Sequence, residues 1–94
     1  MNMAARIDVE TLDATHFRVR VVETGGESAH EVTLDPGDYL RLTGGAVEAS
    51  ELIRKSFQFL LERESKESIL RRFDLSVIRR YFPEYDREIK RRFT

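Results

Sequence analysis

The sequence contains no cysteine and no tryptophan, only two prolines, two histidines and five glycines, and no long apolar run. Without cysteine neither a disulfide nor a thiolate metal site can form, which fits a reducing compartment. No apolar stretch approaches the ~18 residues of a membrane-spanning helix. The segment Met1 to Arg6 lacks the apolar core of an export signal. These absences point to a cytoplasmic protein with no membrane partner. With two histidines in no HxH, HxxxH or HExxH spacing, no metal centre is expected. The glycine pairs Gly25-Gly26 and Gly44-Gly45 lack the Lys-Ser/Thr that would make either a phosphate loop, so both read as turns. The serines lack a nucleophile elbow. No catalytic residue and no cofactor is assigned.

What is present is a change of character near Gly44-Gly45. Residues 1–53 carry four basic against ten acidic side chains, a net of −6, and residues 54–94 carry twelve against seven, a net of +5. The 94 residues read as one domain. Its first part, 5–35, has the period of two of half-buried strands, and 36–93 has helical periodicity. The first four or five residues and Thr94 are expected to be loose.

Phe17, Val19 and Val21 alternate with polar or exposed neighbours, as do His30, Val32 and Leu34. Closing a hairpin at Gly25-Gly26 places Val19 opposite Val32, Phe17 opposite Leu34, His30 opposite Val21 and Arg20 opposite Glu31. A turn at Asp13-Ala14-Thr15 sets Val9 against Val19 and Ile7 against Val21. The result is a three-stranded antiparallel meander with 15–24 in the centre, apolar on one face. Its edges, 6–11 and 28–35, carry charges that discourage further pairing.

Asp35-Pro36-Gly37-Asp38 is a helix start, with Asp35 as cap and Pro36 in the first turn. That helix should stop at Gly44-Gly45. A main helix from about Glu48 to Arg63 gathers Ala49, Leu52, Ile53, Ser56, Phe57 and Leu60 on one arc, with Phe59 and Leu61 on its flanks. Continued in phase, it would carry Ile69, Leu70 and Phe73 away from that arc, so a break between Ser65 and Ser68 is expected to return them to the core. Asp74 then caps a short helix bearing Leu75, Val77, Ile78 and Tyr81. Phe82-Pro83 ends it, and a last helix repeats Tyr85, Ile89 and Phe93. The fold class is α+β, with the meander covered on one face by C-terminal helices.

The segments Ser56 to Glu64, Ser68 to Leu75 and Tyr81 to Tyr85 resemble a family of short bacterial proteins with no assigned function. The resemblance runs from about Phe17 onward. It implies a free-standing small protein and supplies no catalytic residues.

Two surface features are candidates for function. Arg71, Arg72, Arg79, Arg80, Arg87, Lys90, Arg91 and Arg92 could track phosphates or meet an acidic partner if they share a face. The alternative is that they are solvated and locally paired, as the Glu84, Asp86 and Glu88 spacings allow. The sequence pI of about 6.1 argues against general nucleic-acid binding. The aromatic surplus suggests that Phe59, Tyr85 and Phe93 form an interface, with a second copy or another protein. The two charged ends could pair between copies, or within one copy, which is preferred. The function expected is a non-enzymatic interaction or regulatory module that binds a protein partner or itself. The alternative is nucleic-acid binding through 71–92.

Overall fold

A computed structural model describes residues 5–93. The expected looseness of residues 1–4 and 94 therefore lies outside the described residues. The chain opens with β1 (Arg6–Asp13), β2 (His16–Glu23) and β3 (Gly26–Thr33), followed by α1 (Pro36–Thr43) and α2 (Ala49–Leu61). A 3₁₀ turn at Lys66–Ser68 leads to β4 (Arg72–Asp74). A second 3₁₀ turn, Leu75–Val77, runs into α3 (Ile78–Tyr81), and α4 (Tyr85–Arg91) completes the fold.

The architecture is α+β, as the periodicities imply. Strands β1, β2 and β3 form an antiparallel meander, and the helices cover its apolar face. The first hairpin has the expected register, Val9 opposite Val19 and Ile7 opposite Val21. The second does not. Its two-residue loop is Thr24–Gly25, and Glu23 pairs with Gly26, whose φ is +146°. Moving the turn back by one residue moves the register by two. Phe17 therefore faces Val32, Val19 faces His30, and Glu31 lies opposite Arg18 rather than Arg20. A shift of two preserves which side chains share a face, so the apolar face survives the correction. It also moves His30 into the middle of that face.

The sheet has a fourth strand. β4 pairs in parallel with the end of β3, Val32 against Phe73, in the order β1-β2-β3-β4. The stretch after residue 35 is thus not all helical, and this end of β3 is not an edge. The N–H of Glu31 donates to the carbonyl of Arg71 at 2.7 Å, and the Thr33 hydroxyl donates to Asp74 Oδ1 at 2.6 Å.

Helix α1 begins and ends as its sequence dictates. Asp35 Oδ2 accepts from the N–H of Gly37 at 2.9 Å, and Gly44 closes the C-terminus at φ +73° with its N–H on the Leu40 carbonyl. Helix α2 lays Leu52, Ile53, Phe57 and Leu60 toward the sheet, all buried. Its flank is covered too. Phe59 is wholly buried, with Phe82 and Tyr85 edge-on at ring distances of 5.9 and 5.2 Å. The Ser56 and Tyr85 hydroxyls meet at 2.6 Å beneath them. The C-terminal segment thus builds a second apolar layer on α2, which absorbs the aromatics that looked surplus. Among the described residues no helix is long and apolar enough to cross a membrane.

Candidate functional site

The chain leaves α2 at Leu61 and turns back through Lys66–Ser68 before entering β4. This break returns Ile69 and Phe73 to the core, as the helical phase requires. Leu70 and Tyr81 do not return. They are 48% and 68% exposed. The reason is local. In the extended chain between the 3₁₀ turn and β4, neighbours alternate in direction, so Ile69 inward forces Leu70 outward. On the four-residue helix α3 Ile78 is buried, and Tyr81, three residues on and on the same side, lies at the exposed margin.

Between these two side chains lies an open groove with a volume of about 240 Å³. Leu60, Ile69, Phe73 and Ile78 form its apolar floor, and Leu70 and Tyr81 stand on its rim. Glu64 is the one charged residue that lines it. The Glu64 carboxylate is half-buried and makes no hydrogen bond or ion pair among the described residues. Burial raises its pKa above the ordinary value of 4.5.

A second, polar cleft of about 430 Å³ opens beside β3 and is lined by Ser28, His30, Lys66, Glu67 and Arg71, among others. His30 is buried at its base. Its Nδ1 lies 2.7 Å from the Leu70 carbonyl and its Nε2 lies 2.8 Å from the Ser28 hydroxyl. A carbonyl only accepts, so Nδ1 carries the proton; in the neutral ring Nε2 accepts from the Ser28 hydroxyl, and in the protonated ring it donates to it. Burial lowers the His30 pKa; the Leu70 contact opposes this, and the charge of Arg71 adds to it. Both ring nitrogens are occupied by structural bonds. Lys66 is held by Glu23 at 2.9 Å and Glu67 at 2.7 Å. The other histidine, His16, sits in the first turn with Nδ1 2.9 Å from Asp13. Among the described residues no group of three or more His, Asp or Glu converges to hold a metal ion.

The eight basic residues go to several places. Arg72 pairs with Glu31 on β3 at 3.4 Å, Arg79 with Asp38 on α1 at 3.8 Å, and Arg92 with Glu62 after α2 at 2.8 Å. Arg91 pairs with Glu88 within α4 at 3.1 Å. Arg71 lines the polar cleft. Arg80, Arg87 and Lys90 are exposed and make no ion pair among the described residues. Acids of the first half thus meet bases of the second within one copy, at Glu31–Arg72, Asp38–Arg79 and Glu23–Lys66.

The aromatic interface requires a correction. Phe59 and Tyr85 are buried, and Phe93 is half-buried against the core. Arg63 covers Phe59 at 3.6 Å from the ring centroid. None of the three forms an open patch. Among the described residues the exposed large apolar side chains are Leu12, Leu40, Leu70 and Tyr81, of which the last two border the groove. The sequence carries a signal for Leu70, since it follows the buried Ile69 in an extended stretch where neighbours alternate.

No protein family matches this chain, and neither a curated protein nor a solved structure is similar to it.

Proposed function

We propose that this protein is a small interaction module, without chemistry of its own, that docks a protein partner in the groove between Leu70 and Tyr81. One observation carries this reading. Two large apolar side chains stand exposed on either side of an apolar depression. Scattered apolar residues are ordinary on a surface; a contiguous patch with a cavity is the mark of a contact site. The cavity is smaller than the ~300–1,000 Å³ usual for small-molecule sites. It is larger than the ~150 Å³ that accepts a single benzene ring. It therefore suits protruding side chains better than a free ligand.

The test is a photo-crosslinking amino acid placed in turn at Leu70, Tyr81 and, as controls, Leu12 and Leu40. Adducts at positions 70 and 81 that are absent at 12 and 40 support the reading. The same adducts from all four positions, or none from 70 and 81, overturn it.

Nucleic-acid binding is the second reading. Exposed Arg80, Arg87 and Lys90, with no ion pair among the described residues, support it. The acidic partners of Arg72, Arg79, Arg91 and Arg92 weigh against it, because each would have to be displaced by phosphate.

A further inference from the structure

We infer that the occupant of this groove is a second copy of the chain, docked about a two-fold axis. In this contact Leu70 and Tyr81 of each copy enter the other's groove, and Arg80 of each copy meets the other's Glu64. The inference rests on the docking reading above and names its partner.

The patch is self-complementary. A two-fold contact uses one patch twice, so the patch must contain both members of every pair it makes. This one does. It carries projections, Leu70 and Tyr81, and a hollow floored by Leu60, Ile69, Phe73 and Ile78. It also carries an acid without a base and a base without an acid. Glu64 lines the hollow, and Arg80 is exposed beside Tyr81 on α3; neither has an ionic partner among the described residues.

The two charges do not meet within one copy. Along α3, successive residues turn by about 100°. Val77, Ile78 and Tyr81 face the groove, and Arg79 points to the opposite side, where it reaches Asp38. Arg80 then falls on the exposed flank between Val77 and Arg79, outside the groove and at its margin. A second copy arriving over the rim brings its own half-buried carboxylate to that position. Burial already disfavours the charge on Glu64, and an approaching guanidinium offsets that cost. A partner that was wholly apolar would instead bury the carboxylate unpaired.

The test is sedimentation equilibrium of the full chain over a wide range of concentration. The parent should reach twice its 11.0 kDa mass. Glu64→Arg and Arg80→Glu alone should each weaken self-association by about tenfold or more, because like charges then face each other twice. An equimolar mixture of the two variants should recover the dimer, since both contacts regain opposite charges in the mixed pair. Neither position has a partner to lose among the described residues, so at dilutions where the parent is also monomeric both variants should melt near the parent temperature.

A parent that stays monomeric throughout overturns the inference, as does a dimer indifferent to both substitutions and to Leu70→Asp. The crosslink at position 70 separates this failure from that of the docking reading. An adduct of twice the chain mass supports self-docking. An adduct with a different protein leaves the groove a docking site and removes the second copy as its occupant. No adduct removes both.

Discussion

His30 Nδ1 lies 2.7 Å from the carbonyl of Leu70, forty residues further along the chain. This bond fastens the crossover into β4 to the middle of β3, and it does so at the residue whose side chain forms one rim of the groove. A buried histidine thereby sets the backbone that displays an exposed leucine. Replacing it by His30→Leu leaves the Leu70 carbonyl and the Ser28 hydroxyl without their partner. The expected loss is about 1–3 kcal/mol of stability, measured by urea denaturation. A variant as stable as the parent would show that water satisfies both groups equally well.

The same residue gives the fold a pH dependence. Burial lowers the His30 pKa below its ordinary value of 6.5, with the charge of Arg71 also acting in that direction. The unfolded chain therefore binds a proton at a higher pH than the folded one. Stability from this group is fully present above pH 6.5 and declines as pH falls toward the lowered folded value. The charged groups lining the cleft are Glu27, Lys66, Glu67 and Arg71; the Lys66–Glu67 hydrogen bond raises the Lys66 pKa and lowers that of Glu67, moving both away from this window. Urea midpoints for the parent should fall across this window, and those of His30→Leu should be flatter. Parallel curves would assign the dependence to another group.

The core makes a sharper demand. Phe57 is wholly buried between the His30 ring at 5.3 Å and the Phe73 ring at 6.0 Å. It thus bridges β3, α2 and β4. Phe57→Ala should cost about 3–5 kcal/mol, enough to endanger a chain of this size. A thermal melt near that of the parent would contradict this packing.

At the end of α1, Gly44 adopts φ +73°, and a Cβ there would meet no other atom. The penalty for Gly44→Ala is therefore conformational alone, about 1–2 kcal/mol. Gly25 is a useful contrast, because its φ is not positive and nothing crowds its Cβ position either. Gly25→Ala should cost less, and a denaturation series on the pair would reverse the argument if the order were inverted.

Much of this fold is legible from local chemistry. Asp35, Pro36 and Gly44 mark the limits of α1 because capping and positive φ are properties of single residues. The face of each strand is legible because alternation survives a two-residue slip. The register of the second hairpin is less so, since Thr24-Gly25 and Gly25-Gly26 both close it with the same faces inward. β4 is hidden for a different reason. Three residues, Arg72, Phe73 and Asp74, carry no period, and their partner lies about forty positions earlier in parallel pairing. Phe59 and Tyr85 read as spare when α2 is pictured against the sheet alone. They become core once the C-terminal segment folds back on its flank. The groove was out of reach because it depends on that return path, which fixes what stands on either side of Leu70.

The arginines allow a separate test. If 71–92 engages nucleic acid, affinity for short single- and double-stranded probes should fall steeply with salt, and Arg79→Ala or Arg91→Ala should weaken it uniformly. The ion pairs of Arg79 with Asp38 and Arg91 with Glu88 argue for the opposite result. Fluorescence anisotropy at two salt concentrations should show no binding that these substitutions alter.

The central claim is that the groove is the surface through which two copies meet, and nuclear magnetic resonance of the uniformly labelled chain on serial dilution tests it most directly. The account predicts concentration-dependent shifts gathered at Leu60, Glu64, Ile69, Leu70, Phe73 and Tyr81, with β1 and α4 unchanged. Shifts gathered on β1 or α4 instead, or a groove silent at every concentration, would contradict it.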